Sequence, residues 1–391
     1  MTSIGIYQSY WGRVGGGQRY IAVVAELLAR KHEVEIVHHQ DGFDPARVEE
    51  PMRVDLSQVK FRYVPRRDRP NWTGGPIRRL QQEREWCRDI SEPYDLFIDS
   101  SDNVPFFCHA RRGVLLTHFP LVSFSQFHSN GNSRWGIKSL LARVYHRIEW
   151  RQRFATYQHT IVNSRFTQRW AKKYWGVDSS IVYPPLRDGL TPAADKRPRI
   201  LTIGAFYAAQ HKKHEVTLNA FRQLCDSGVT GWDYVLMGAC GKTPDDLAYV
   251  DRLKKLASGY PVRILTDVSG AELKELIEES SILWHAMGYG VNPEQDPGLM
   301  EHFGMVATEA LAAGTIPIVF NGGGLPEIVV DTRNGYLWST PEQLVSVTRR
   351  IIDDVELRQR IRQQAVQSSR QFSNEAFERR LSDALHPFLS T

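Results

Sequence analysis

Two runs of alternating strand and helix signals, separated by a pair of prolines, constrain this chain more than any other feature. The first run has strand candidates at residues 3–7, 33–38, 60–64, 95–99, 114–117 and 159–162. A glycine-rich loop at 12–17 leads into a helix ending near residue 30, and Asn163-Ser164 caps a helix running towards Tyr174. Pro184 and Pro185 can continue neither a helix nor a central strand, so the stretch from there to Arg199 predicts an interdomain linker. The second run has strands at 200–203, 233–237, 262–265, 282–285 and 316–320, with helices near 212–227, 244–258, 270–279 and 303–313. Short apolar strands alternating with helices are the pattern of parallel sheets covered on both faces. The expectation is an α/β chain with Rossmann-like domains at 1–185 and 186–373. A last helix at 374–391 shows Phe377, Leu381, Ala384 and Leu385 on one face.

Composition supports a globular chain. At 391 residues it is long for a single core, and 42% hydrophobic with 24% charged residues is ordinary for a folded protein. No apolar run of about 18 residues and no charged-then-apolar leader is seen, so neither a membrane span nor a signal peptide is expected. Cys87, Cys108, Cys225 and Cys240 lack metal-binding or CxxC spacing and fit reduced thiols in a cytoplasmic protein. Charge is uneven: residues 134–175 hold ten Lys or Arg against one acid, Glu149, while the whole chain nets +5. Arg62, Arg66, Arg67, Arg69, Arg78 and Arg79 add to the cationic surface of the same half.

The chemistry concentrates in Glu301-His-Phe-Gly-Met-Val-Ala-Thr-Glu309. The pattern predicts a helix over 306–313 closed by Gly314, then a buried strand. Such a helix start offers the backbone N–H groups of Phe303, Gly304 and Met305 and the positive end of a dipole, an anion site. Glu301 stands before it and Glu309 two turns in, so the two carboxylates can grip different parts of one elongated ligand. A phosphate between hydroxyl-bearing groups, as in a nucleotide sugar, fits that arrangement. A lone pair of acids at this spacing would more often be a capping Glu and a solvated one; the ordered neighbours favour the site.

Those neighbours also carry a resemblance. Glu-x7-Glu, then Ala-x-x-x-Gly-x-x-Pro-Ile-Val and Gly322-Gly-Gly-Leu-Pro-Glu-Ile-Val329 resemble the donor site of retaining family 4 glycosyltransferases. The resemblance implies the GT-B fold: two Rossmann-like domains facing a cleft, with the last helix crossing back to the first. It assigns Glu301 to the donor sugar, Glu309 to the ribose hydroxyls, and the amides of Phe303, Gly304 and Met305 to sugar and diphosphate. At the turn opening the second domain the family carries Gly-Arg followed by a Lys; here Ala205 replaces the Arg, and Lys212, with Lys213 beside it, falls at the Lys. Lys212 would take up charge on the departing diphosphate. Lys213 and His211 are further candidates, since cations placed at a helix start oppose the dipole unless an anion is bound. Gly15-Gly-Gly17-Gln-Arg is similar to the family loop bordering diphosphate and acceptor, which selects Gly16 and Gly17. As bare glycines they would make a tight turn. His118, at a strand end, matches the His that contacts the donor sugar, where an isolated His would more often be a core residue.

The resemblance therefore implies a retaining hexosyltransferase moving sugar from a nucleoside-diphosphate donor to a hydroxyl of a glycan or lipid-linked acceptor, in glycan or polysaccharide assembly. Trp284-His285-Ala and Glu301-His-Phe-Gly resemble a subset handling dolichol-linked mannan extension and bacterial polysaccharides, so GDP-mannose is one donor and a UDP-sugar the other. No Asp-x-Asp motif lies near the site, and no metal or other cofactor is expected. A GT-B nucleotide-sugar 2-epimerase, acting without acceptor, and a non-catalytic sugar-nucleotide-binding partner are the alternatives; Ala205 keeps the second open. In the basic window Ile137, Leu140, Leu141, Val144 and Ile148 share a helix face. One reading docks that face on an anionic membrane, making the protein peripheral on the inner surface; the other buries it as an ordinary surface helix. No nucleic-acid module accompanies the charge, so nucleic acid is not an expected partner. Donor and acceptor specificity is expected in loops 288–300 and 123–133.

Overall fold

The computed structural model describes residues 1–9, 11, 15–65, 76–101, 104–123, 137–209 and 212–389. The chain divides into two compact units, Met1–Pro185 with Phe377–Thr391, and Leu186–Ala376. The expected loop 123–133 and His211 lie outside the described residues, apart from Ser123.

The first unit has seven parallel strands: β1 (Ser3–Tyr7), β2 (Glu33–His38), β3 (Val59–Tyr63), β4 (Leu96–Asp99), β5 (Arg112–Thr117), β6 (His159–Val162) and β7 (Ser180–Ile181). They lie in the order β3-β2-β1-β4-β5-β6-β7. Ile4, Ile6, Ile36, Leu96, Ile98, Val114 and Leu116 are fully buried, as expected of strands covered on both faces. The helix Gly16–Ala29 follows β1 and sends Tyr20, Ile21, Val24 and Ala25 into the same core. The sequence pattern placed Gly16 and Gly17 in a loop; both belong to the first helical turn, with Gly15 as N-cap. Ser164 caps Arg165–Trp175 by accepting from the Thr167 N–H, as its position predicts.

The last helix, Asn374–Leu389, sends Phe377, Leu381 and Leu385 into the first unit's core. Arg112 donates from Nη1 to the Phe388 carbonyl at 2.6 Å, and the Tyr20 and Phe377 rings meet at 5.5 Å.

In the basic window the helix is Ile137–Ala155. Side chains 137–143 are outside the description. Beyond them Val144 and Ile148 are about half exposed, while Glu149, Trp150 and Arg153 are buried. The expected apolar stripe is therefore not the buried one at its second half: the inward face is set by an ion cluster around Arg153.

The second unit has six parallel strands: β8 (Arg197–Ile203), β9 (Asp233–Gly238), β10 (Val262–Thr266), β11 (Ser280–His285), β12 (Ile316–Phe320) and β13 (Tyr336–Trp338), in the order β10-β9-β8-β11-β12-β13. Helices Pro341–Asp353 and Val355–Ser369 occupy a stretch for which the strand-and-helix pattern gave no expectation. Their caps, Thr340 before Pro341 and Asp354, were nevertheless present as signals. In both sheets the strand order reverses direction beside the first strand, between β1 and β4 and between β8 and β11. Ligand crevices of open parallel sheets form at the carboxyl ends of strands flanking such a reversal.

Candidate active site

The reversal in the second unit decides which residues meet. The carboxyl end of β8 leads through Gly204 to Lys212, and β11 ends at His285; these strands are paired neighbours, Ile200 opposite Ile282, although far apart in sequence. Lys212 Nζ lies 3.0 Å from Glu301 Oε2, and His285 Nε2 lies 3.0 Å from the same oxygen. His285 is 5% exposed and the Glu301 side chain 19%. For a bond to the carboxylate His285 must carry its proton on Nε2. Burial alone would raise the Glu301 pKa, but the Lys212 charge and the His285 bond outweigh it and hold the carboxyl well below the usual range. Glu301 is thus an anion at every working pH, and its Oε1 accepts no hydrogen bond from a described residue.

Glycines fix where Glu301 sits. Gly323 has φ +62, and a Cβ there would stand 2.1 Å from the Glu301 carbonyl oxygen. The neighbouring Gly324 N–H donates to that carbonyl at 2.8 Å. The loop after β12 is therefore pressed backbone to backbone on the segment carrying the first acid, an approach only glycine permits.

The helix after Glu301 is Met305–Ala312, with Gly304 as N-cap at φ +114. That left-handed cap makes Met305 the first helical residue, one position before the pattern's expectation, and moves the C-cap to Ala313. Phe303 is buried beside Phe372, and Gly304 packs below Leu325, so the helix start is seated on side chains of its own unit. The first N–H groups of any α-helix lack intrahelical acceptors, which here leaves the Gly304–Val306 amides at an anion-binding end.

Glu309 lies one turn in, 4% exposed. Its partner comes from the stretch after the paired prolines: Arg187 Nε lies 3.4 Å from Glu309 Oε1, with the two side chains 12% and 6% exposed. Neither oxygen of Glu309 accepts a hydrogen bond from a described residue. Sequence reasoning missed Arg187, which sits in a linker without periodicity, and gave His285, a strand end within the Trp284-His285-Ala resemblance, no role beside Glu301. Lys213 takes a left-handed backbone, φ 59, as N-cap of His214–Asp226 and makes no ion pair among the described residues. The buried His214 forms part of the floor: its Nδ1 meets Tyr249 Oη at 2.9 Å, and burial lowers its pKa to about 4.

The first unit brings together His118 and Gly17. A Cβ on Gly17 would stand 3.1 Å from His118 Cδ2 and Nε2, so the imidazole lies directly against the start of the Gly16–Ala29 helix. Tyr20 packs on the same ring at 5.4 Å, and Thr167 Oγ1 donates to the His118 carbonyl at 2.9 Å. Among the described residues no group of three His, Cys, Asp or Glu could hold a metal ion.

Both units have relatives among known proteins. Residues 191–368 match the family Glycosyl transferases group 1, and residues 14–186 match Glycosyltransferase Family 4. Curated relatives include the GDP-Man:Man(3)GlcNAc(2)-PP-Dol alpha-1,2-mannosyltransferases of Xenopus tropicalis, 32% identical over 237 residues, and of Homo sapiens, 29% over 239. Each alignment takes in 56% of this chain and 46% of the relative, so the chain spans about half the length of the curated relatives it matches. Among solved structures, Anabaena HepE in complex with UDP-glucose superposes with a TM-score of 0.69 at 14% identity, over 99% of this chain and 100% of that one. The two parallel sheets and this likeness give the chain the GT-B fold. The chain belongs to the group 1, family 4 glycosyltransferases.

Proposed function

We propose that this protein transfers mannose from GDP-mannose to a hydroxyl of a glycan or lipid-linked acceptor, with retention at the anomeric carbon. The observation carrying this reading is the pair of acids about one helix start, Glu309 buried and Glu301 partly so, each held by a cation and each with acceptor capacity left over. The relatives' printed names supply the donor and the acceptor class. A UDP-sugar is the second reading, favoured by the ligand named with the HepE structure.

In this reading the diphosphate lies on the amides of Phe303, Gly304 and Met305. Glu301 Oε1 accepts from a sugar hydroxyl and Glu309 from the ribose. Lys212 turns from Glu301 to the leaving diphosphate as charge builds there, a role for which it needs no metal partner. The acceptor oxygen bonds to the anomeric carbon as the bond to the diphosphate oxygen breaks, and the hydroxyl proton passes to that phosphate. Lys213 adds positive charge at the same turn. The first unit's His118, Gly16 and Gly17 keep the roles the resemblance gives them, on the donor sugar and beside the diphosphate and acceptor. Arg147 and Arg151, exposed beside the half-exposed Val144 and Ile148, suit docking on an anionic membrane surface. No described helix is long and apolar enough to cross a membrane.

Calorimetric titration with GDP, UDP, ADP and dTDP tests the reading. Selective binding of GDP, weakened by about 1.5–3 kcal/mol in Glu309→Ala, is the expected result, the range for hydrogen bonds to a charged group. Selective UDP binding would move the donor to a UDP-sugar, and no binding at millimolar nucleotide would leave a non-catalytic role as the better account.

A further inference from the structure

The two acids of the site differ in how they are supplied with donors. Glu301 receives two on Oε2, from Lys212 and His285. Glu309, more deeply buried, has one ion contact, the Arg187 guanidinium at 3.4 Å, and no hydrogen bond from any described residue. A charged group taken out of water is costly unless an opposite charge stands beside it. Arg187 is the cation that faces the Glu309 carboxylate. It does so from outside the helix, from a position two residues past Pro185. A guanidinium is a planar fork of five donors and constrains the plane of the carboxylate it faces. The lone pairs left over are then presented in a fixed direction, and what they lack is hydroxyl donors.

We propose that Arg187 is the positioning residue for ribose recognition: it holds the Glu309 side chain in place so that the carboxylate takes the two ribose hydroxyls of the nucleotide. This rests on the nucleotide-sugar reading above, and deepens it by assigning discrimination of the ribose to a residue outside the helix and its glycine-rich flanks. No bond to the nucleotide is asked of Arg187 itself.

The test compares GDP with 2′,3′-dideoxy-GDP, and UDP with its dideoxy counterpart, on wild-type protein, Arg187→Ala, Arg187→Lys and Glu309→Ala. Wild-type protein should prefer the hydroxylated nucleotide by about tenfold or more, the equivalent of about 1.4 kcal/mol. Arg187→Ala should collapse that preference to within about threefold while hardly changing affinity for the dideoxy nucleotide. Arg187→Lys should recover part of it, and Arg187→Ala added to Glu309→Ala should change nothing further. A wild-type ratio in a folded Arg187→Ala overturns the proposal, as does equal weakening of both nucleotides, which would mean a contact elsewhere. Should Arg187→Ala not fold, Arg187→Lys decides: an undiminished ratio together with weakened dideoxy binding again overturns it. Failure of wild-type protein to bind either hydroxylated nucleotide sinks the donor-site reading itself, and is thereby distinct from failure of the Arg187 assignment.

Discussion

Each unit buries an arginine against glutamate, and the two clusters are finished to different degrees. In the first unit Arg153, 1% exposed, donates to Glu83 at 2.7 Å, to Glu149 at 2.6 Å and to the Pro105 carbonyl at 3.1 Å, and its guanidinium lies over Phe107. Its donors are spent on the fold. In the second unit Glu309 faces Arg187 at 3.4 Å and its carboxylate accepts no hydrogen bond from a described residue, and Glu301 uses one oxygen of two. A cluster whose donors and acceptors are matched has nothing left for a ligand and can only hold helices together. One whose carboxylate oxygens are left over has acceptors to offer a ligand's hydroxyls. The contrast separates structural from functional charge where residue type alone does not.

Breaking the matched cluster should have the largest effect on folding. Arg153→Met strands two buried carboxylates, and loss of one member of such a group costs about 3–5 kcal/mol. Urea denaturation should show that loss in the first unit, with nucleotide affinity in the second unchanged. A large fall in affinity would mean the Arg153 cluster also serves binding. Breaking the unmatched cluster should do the opposite. Lys212→Ala is expected to lower transfer by roughly 10²–10³-fold, the scale for one group stabilising charge in a transition state, with the denaturation midpoint almost unmoved. A drop in midpoint without a drop in rate would make Lys212–Glu301 an ordinary structural ion pair.

Acid gives a third, smaller probe, aimed at the second unit. Buried His214 has its pKa lowered from 6.5 to about 4. Between those values the unfolded chain binds the proton and the folded one does not, so stability falls as pH drops through the window. The full loss is on the order of 3 kcal/mol from the shift alone. Denaturation midpoints at pH 7 and pH 4.5 should converge in His214→Gln, and an unaltered pH dependence would assign the acid sensitivity to other groups.

Much of this fold was legible because parallel strands buried on both faces are near-continuous apolar runs. The stretches ending at Ile203, His285 and Phe320 announced themselves in that way. β7 and β13, of two and three residues, are too short to produce a pattern. The helix after Glu301 was read within one residue, and the difference came from the Gly304 left-handed cap, a backbone choice that composition does not reveal. Within the site, Glu301 and Glu309 stood out through spacing, and Lys212 through the family resemblance. Lys212 and His285 lie on the same Glu301 oxygen beyond the ends of the paired strands β8 and β11, and Arg187 reaches Glu309 from an aperiodic linker. Contacts made by chain path rather than by periodicity are those a linear reading misses.

The last helix carries a consequence for how the protein is made. Phe377, Leu381 and Leu385 belong to the first unit's core, yet the whole of Leu186–Ala376 is translated between Pro185 and Phe377. At about 5–20 residues per second a ribosome takes roughly 10–40 s over that stretch. For that interval the nascent first unit shows water the apolar patch those three side chains will cover, while the second unit is emerging beside it. The order of synthesis makes the first unit the earliest to start folding and the last to be completed.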